Sequence, residues 1–312
     1  MIQLNIMGRL GNQMFQYAYA RTLQEETGQQ LCINWKNVVN FKTQEKGFVN
    51  SLQDFHVAEF TDEMQLQLTW QQKIVDLFFE KVVLRGHRDV WGMHQREVRW
   101  AWLLNAVGLY YMRSGYYKFQ KAKTDQIILS GNFESPKYFE KMQSKLREEF
   151  TPIHEPLAHN EGLYKEIEKT QSICVTIRRG DYYTNEKNKR FQICTSEYYV
   201  QGVEHILKQY PDAQVFAFSD DIEWVKENIK FPCKVSYERG DDPVWEKLRL
   251  MYSCKHFVIS NSTFSWWAQY LGSYKDKIVV APDVWVDDGI ELDELKKMRK
   301  DIYEDHWVQI HV

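Results

Sequence analysis

Three polar stretches sit directly after apolar runs, the place where a parallel α/β sheet presents its ligand-binding loops. Arg178-Arg179-Gly180-Asp181 follows Ile173–Ile177. Two adjacent guanidiniums suit a pyrophosphate, because arginine stays charged and can donate two parallel hydrogen bonds to phosphate oxygens. Gly180 lets the backbone approach a ligand closely, and Asp181 can orient an arginine or act on a hydroxyl. A solvated turn closed by an Arg–Asp ion pair accounts for the tetrapeptide equally well. Ser219-Asp220-Asp221 follows Val215–Phe218. A carboxylate there can accept from N1 and N2 of guanine, an edge that offers only donors, or can cap the next helix. Asn261-Ser262-Thr263 follows His256–Ser260 and leads into the helical run Ser265–Leu271. Hydroxyls, backbone N–H groups and the helix dipole at such a start would cradle phosphate oxygens, or would cap a helix whose Trp266 and Trp267 are core.

A fourth loop, Gly8-Arg9-Leu10-Gly11-Asn12-Gln13, lies between the strand-like Ile2–Ile6 and a helical stretch Gln13–Thr27 that Gly28 is placed to cap. Its glycines do not make GxGxxG, which disfavours an NAD-dependent oxidoreductase. Asn12 and Gln13 are placed to face a ligand cleft or to cap the helix.

Two α/β layers are needed to position these loops. Leu31–Asn34 reads as the next strand of the first. Residues 62–120 have helical spacing and are rich in aromatic and basic side chains (Trp91, His94, Arg96, Arg99, Trp100, Trp102, Tyr110, Tyr111), which predicts a helical insert. Thr151-Pro152 and Glu155-Pro156 mark a linker, so the expected domains are 1–155 and 156–312. Beyond it, Tyr199, Val203, Ile206 and Tyr210 fall at helical spacing, and Trp224 with Val225 marks a short helix. Cys233–Tyr237 and Lys277–Ala281 read as strands, Trp245, Leu248 and Met251 as a helix face, and Leu292–Arg299 as a late helix. Alternating strands and helices predict a parallel sheet.

Composition narrows the function classes. Against 43 Asp and Glu stand 40 Lys and Arg, a formal net charge of −3, which argues against a protein built chiefly to bind nucleic acid. Hydrophobic residues make up 44% and charged residues 27%, as in a globular chain. No apolar run reaches the roughly 18 residues of a transmembrane span, and residues 1–28 lack the pattern of a secretory signal. Five cysteines without a CxxC pair fit reduced thiols in the cytoplasm rather than a disulfide framework or zinc cluster.

In combination and in this order the four loops resemble the α-1,2-fucosyltransferases of glycosyltransferase family 11. Gly8-Arg9-Leu10-Gly11-Asn12-Gln13-Met14-Phe15-Gln16-Tyr17-Ala18 is similar to that family's N-terminal signature. Ile177-Arg178-Arg179-Gly180-Asp181-Tyr182 is similar to the motif shared by α-1,2, α-1,6 and protein O-fucosyltransferases. Ser219-Asp220-Asp221 and Asn261-Ser262-Thr263-Phe264-Ser265-Trp266-Trp267 resemble the two later donor-site motifs. One position departs: the family often has His two residues before the first Arg, where this chain has Thr176.

The resemblance implies a GT-B fold of two Rossmann-like domains facing a cleft. GDP-β-L-fucose would bind the C-terminal domain through Thr176, Arg178, Arg179, Asp220, Asp221, Asn261, Ser262 and Thr263. The acceptor, a terminal β-galactoside, would meet Arg9, Asn12 and Gln13 of the N-terminal domain. Transfer would invert the anomeric centre without a metal or other cofactor, and the sequence contains no Asp-x-Asp cation clamp. Arg178 would stabilise charge growing on the β-phosphate, and Asp181 is the nearest base for the galactose 2-hydroxyl. The insert would shape the acceptor groove and meet a lipid-linked acceptor at the cytosolic face of the inner membrane, unless ordinary core and solvated faces explain it. A fucosyltransferase of another linkage and a non-catalytic nucleotide-sugar or glycan-binding protein are the rival readings.

Overall fold

The N-terminal apolar run forms β1 (Ile2–Asn5), and Gly28, at φ 66°, ends α1 (Leu10–Thr27) as a left-handed cap that few other residues adopt. The structure, a computed structural model, describes residues 1–41, 49–58, 60–61, 66–85, 90–122 and 124–312. The chain divides into two units, Met1–Glu149 with Lys297–Tyr303, and Phe150–Lys296 with Glu304–Val312. The expected boundary at 155/156 falls at 149/150, because Phe150 already packs edge-on against Trp267 at 5.0 Å in the second unit. The returning segment belongs with the first unit through Arg299 on Glu134, Lys137 on Asp301 and the buried Ile302.

In the first unit, β1 and α1 are followed by β2 (Leu31–Asn34), α2 (Lys36–Phe41), α3 (Trp70–Phe78), α4 (Val90–Ala106), β3 (Leu109–Met112), β4 (Ile127–Gly131) and α5 (Gln143–Glu149). The sheet is parallel throughout in the order β2-β1-β4-β3. Leu109–Met112, expected inside a helical insert, is therefore an edge strand, paired with β4 from Leu109↔Ile128 to Met112↔Gly131. Its four residues are all buried, so no alternation marked it as a strand. Residues 62–65 and 86–89 of that insert, and the Trp91 side chain, lie outside the described residues. The rest of it is α3, a π-helical turn Phe79–Val83, and α4. These close one sheet face through Val75, Phe79, Val83, Leu104, Leu109, Tyr111 and Ile128. On α1, Tyr17 Oη and Arg21 Nε both donate to the buried Glu149 carboxylate, at 2.7 and 2.9 Å.

The second unit runs α6 (Glu161–Lys169), β5 (Ser172–Ile177), α7 (Gly180–Thr184), α8 (Ser196–Leu207), β6 (Gln214–Ser219), α9 (Ile222–Asn228) and β7 (Val235–Tyr237). It continues with α10 (Val244–Ser253), β8 (His256–Val258), α11 (Thr263–Leu271), β9 (Val279–Pro282), α12 (Leu292–Met298) and β10 (Val308–Ile310). Its sheet is parallel in the order β10-β9-β8-β5-β6-β7, the doubly wound arrangement with a switch point between β5 and β8. Every residue of β5 and β6 is buried, as strands covered on both faces must be. Trp266 and Trp267 are wholly buried and belong to the core. No helix of the described residues is long and apolar enough to cross a membrane.

Candidate functional site

β5 and β8 carry the chain in opposite lateral directions from the switch point, so the loops after them open a crevice at their C-terminal ends. Two hydrogen bonds tie these loops together. Ser260 N donates to Thr176 Oγ1 at 3.1 Å, and Tyr182 Oη donates to Asn261 O at 3.1 Å. Thr176 is buried and serves as this strand-to-strand link.

Arg178 leaves the end of β5 and is held from two sides, by Asp181 within its own loop and by Asp220 from the end of β6. The ring of Tyr182 lies 5.5 Å from its guanidinium carbon. The other Asp220 oxygen, Oδ1, accepts the backbone N–H groups of Arg179 and Gly180 at 2.8 and 3.1 Å. Asp220 thus fixes both the backbone and the guanidinium of the arginine loop. Asp181 Oδ2 accepts Asn188 Nδ2 at 3.3 Å, so its carboxylate also has a partner on each oxygen. The two fixed carboxylates leave a guanidinium that needs no reorganisation to donate its remaining N–H groups to an oxyanion.

Arg179 turns the other way. Its guanidinium carbon lies 3.4 Å from the Trp224 ring centroid and 4.1 Å from that of Tyr183, and its Nε donates to Asp221 Oδ2 at 3.3 Å. Asp221 is the N-cap residue of α9, yet its side chain makes no capping bond and is 44% exposed. The capping role expected for this position is absent, which leaves the carboxylate open to a ligand. Beside it, buried Glu238 at the end of β7 accepts Ser219 N at 2.9 Å and pairs with Lys247 at 3.2 Å. Burial pushes the Glu238 carboxyl above the usual carboxylate range, partly offset by Lys247.

Asn261 has a different part from the ligand contact expected of it. It is buried, its Nδ2 donates to the carbonyls of Phe191 and Trp285 at 3.1 and 3.0 Å, and its Oδ1 accepts from Cys194. Ser262 is the N-cap residue of α11, without a side-chain capping bond, and Thr263 opens that helix. In the first unit, Arg9 precedes α1, Gly8 stands at φ 80° against the Asn12 side chain, and both Arg9 and Asn12 are half-buried. Gln13 is fully buried. Its Nε2 donates to the carbonyls of Gly8 and Val49 at 2.9 and 2.8 Å, and its Oε1 accepts Ser51 N at 3.1 Å. It binds the chain to itself instead of facing a cleft.

Sequence reasoning missed Trp224, Asn188 and Glu238 as parts of the site. Glu238 has a signal: it follows the expected strand Cys233–Tyr237, at a strand end like those that carry the other three loops. Trp224 has a weaker one, since an aromatic in the first turn of a helix is ordinarily core.

A fucosyltransferase NodZ from Bradyrhizobium has the same fold, with a TM-score of 0.51 at 14% identity over 86% of this chain and 91% of that one. The GT-B-type pair of parallel α/β units expected from the sequence is thus the fold found. An α-1,2-colitosyltransferase of Escherichia coli is 36% identical over 188 residues, which are 58% of this chain and 61% of that protein. A galactoside 2-α-L-fucosyltransferase of Caenorhabditis elegans is 24% identical over 195 residues, 59% of this chain and 53% of that protein. The chain therefore spans between half and two thirds of the length of these two curated relatives. The profile of glycosyl transferase family 11 matches residues 1–311, from the Gly8 loop through the arginine loop to the last strand, and the chain belongs to that family.

Proposed function

We propose that this chain transfers L-fucose from GDP-β-L-fucose to the 2-hydroxyl of a terminal β-galactoside, inverting the anomeric centre and using no metal. The observation that carries this reading is Arg178, clamped by Asp181 and Asp220 at the switch point of the second unit's sheet. As the fucosyl C1–O bond breaks, negative charge grows on the β-phosphate oxygen. Arg178, Ser262, Thr263 and the N–H groups opening α11 supply positive partners for it. Asp221 accepts from the guanine edge, with Arg179, stacked on Trp224, donating to its Oδ2 and Glu238 holding Ser219 of the same loop. Asp220, Asn261 and Thr176 hold the loops in register. Asp181, engaged by Arg178 and Asn188, positions the guanidinium and is not the base. Arg9 and Asn12 meet the acceptor, and Gln13 holds their loop.

The same reading puts the chain in peripheral contact with the cytosolic face of a membrane that carries a lipid-linked acceptor. The outer face of α3 supports it, because Trp70, Ile74 and Leu77 are all exposed there.

The test is incubation with GDP-fucose, EDTA and a panel of β-galactosides, reading GDP release and the product linkage. A 2-linked fucose formed in EDTA is the expected result. GDP binding without transfer to any galactoside would leave a nucleotide-sugar-binding protein. A second reading keeps the linkage and changes the donor, since the 36%-identical relative is an α-1,2-colitosyltransferase. Colitose is fucose without its 3-hydroxyl, so parallel assays with GDP-fucose and GDP-colitose separate the two.

A further inference from the structure

The first unit carries a candidate site of its own. β1 pairs in parallel with β2 on one side and with β4 on the other, so the C-terminal ends of the three strands lie side by side. A pocket of about 360 Å³ lies there, walled by Asn5, Asn34 and Ser130 from strand ends, Asp76 from α3, and Tyr111 and Arg113 from β3 and its exit. None of Arg9, Asn12 and Gln13 lines it.

Its floor carries polar groups where the adjoining strands carry core. Gln3 is in register with Ile128, which packs in the apolar cluster under α3, and Asn5 follows two residues along on the same face. Amides at such positions are costly unless hydrogen-bonded. Here they form a chain: Gln3 Nε2 and Asn34 Nδ2 both donate to Asn5 Oδ1, at 2.9 and 3.0 Å, and Gln3 Oε1 accepts Leu66 N at 2.6 Å. With its oxygen occupied twice, Asn5 offers the pocket its Nδ2 donor.

The opposite wall supplies acceptors. Tyr111 Oη donates to Asp76 Oδ1 at 3.1 Å, Asp76 lines the pocket with a second carboxylate oxygen, and Arg113 pairs with Glu80 at 3.6 Å. Lys36 balances the remaining carboxylate in the charge count of the lining, so the pocket gathers no net positive charge for a phosphate. Fixed donors facing fixed acceptors, with the Phe79 and Tyr111 rings beside them, match a ligand whose hydroxyls both donate and accept and whose C–H faces are apolar. Glu97 of α4 holds the Arg113 corner: buried, it accepts Arg113 N on both oxygens at 3.2 Å.

We propose that this pocket binds a neutral saccharide and selects the glycan on which the enzyme acts. The second half of that statement rests on the proposed transferase function; the first half does not. The test uses the full chain without nucleotide and lactose as the probe, read by ligand-observed saturation-transfer NMR and by titration. Wild type gives saturation transfer to lactose. Asp76→Asn, which keeps size and removes the charged acceptor, and the milder Arg113→Ala each weaken lactose binding by about tenfold, while GDP affinity is unchanged. In the transfer assay the same variants raise the acceptor KM and leave kcat in place. Lactose binding that is absent in wild type, or equal in wild type and both variants, overturns the proposal, as does preferential binding of inorganic phosphate. If lactose binds with this variant pattern but no fucose is transferred, the transferase reading fails and the pocket stands. If transfer proceeds with a KM indifferent to both variants, the pocket assignment fails and the transferase reading stands.

Discussion

Gly180 and Asp220 occupy the room of a single side chain: Gly180 N donates to Asp220 Oδ1 at 3.1 Å, and a Cβ built on Gly180 would overlap Asp220 Oδ2. Gly180 lies outside the left-handed region, so Ala can adopt its backbone and the conflict is with the carboxylate alone. Gly180→Ala therefore displaces Asp220 and with it one of the two clamps on Arg178. The expected outcome is a fall in transfer rate of about 10²-fold with a small change in melting temperature. Asp220→Asn, which keeps the backbone bonds and weakens the ion pair, falls between wild type and Gly180→Ala. Equal rates in wild type and Gly180→Ala would refute the clamp.

Arg178 and Asp181 separate on rate. Removing a preorganised donor to a developing oxyanion costs about 10²–10³ in rate, which is the loss expected for Arg178→Ala. Arg178→Lys recovers little of it, since an ammonium cannot meet Asp181, Asp220 and a phosphate oxygen from one fixed plane. Asp181→Asn keeps a hydrogen-bonding partner for Arg178 and slows transfer by about tenfold or less, with the pH–rate profile unmoved. A larger loss, accompanied by disappearance of the acidic limb of that profile, would make Asp181 the base.

Much of the second unit was legible because its signals are local. β5, β6 and β8 are short apolar runs, and the chemistry-bearing residues follow each of them directly. The link of Arg178 to Asp181 spans three positions and can be read from one loop, whereas its link to Asp220 joins the ends of two strands and needs the sheet order. Asn261 and Gln13 show the limit more sharply. Both have amides suited to a ligand, and both are buried with their groups used by distant backbone: Phe191 and Trp285 for one, Val49 and Ser51 for the other. No spacing announces such partners. β3 was lost in an aromatic stretch without a period of two, and the return of residues 297–303 to the first unit depends on pairs such as Arg299 with Glu134.

Glu97 makes the stability of the first unit pH-dependent. It is fully buried on α4, and burial raises its carboxyl from 4.5 to about 7, against the smaller opposing effects of the Arg113 and Ser114 N–H groups and the Arg113 charge. The folded state therefore holds a proton that the unfolded chain releases between these values. Stability from this group is full below about 4.5 and is lost as pH rises through about 7, by roughly 3 kcal/mol. His94, one turn away, is shifted downward by burial and works in the opposite sense, so the informative quantity is a difference. Glu97→Gln retains an acceptor for Arg113 N and removes the titration. Relative to wild type its melting temperature should rise between pH 5 and pH 8. Parallel pH profiles for the two proteins would show that Glu97 stays ionised throughout.

The outer face of α3 carries more apolar surface than the fold uses. Gln72, Val75, Phe79 and Val83 already turn the buried side of α3 and the following turn inward, and Thr69 with Gln72 forms the capping box. Trp70, Ile74 and Leu77, at helical spacing on the other side, remain 71%, 59% and 58% exposed. Among the described residues of α3, α4 and their connection, Lys73, Lys81, Arg85 and Arg99 are exposed against the single exposed acid Glu80. An apolar stripe with a Trp at one end and a basic border is the pattern of a helix that lies in an anionic membrane surface. The chain should co-sediment with vesicles containing phosphatidylglycerol, bind pure phosphatidylcholine vesicles poorly, and release as salt rises. Trp70→Ser, Ile74→Ser and Leu77→Ser combined should weaken vesicle binding by at least about tenfold, since each side chain loses on the order of 1 kcal/mol of partial burial. Transfer to a soluble galactoside should be unaffected, because the stripe lies on the face of α3 turned away from the sheet. Vesicle binding that survives the triple substitution, or that ignores lipid charge, would mean that this face meets something other than an anionic bilayer.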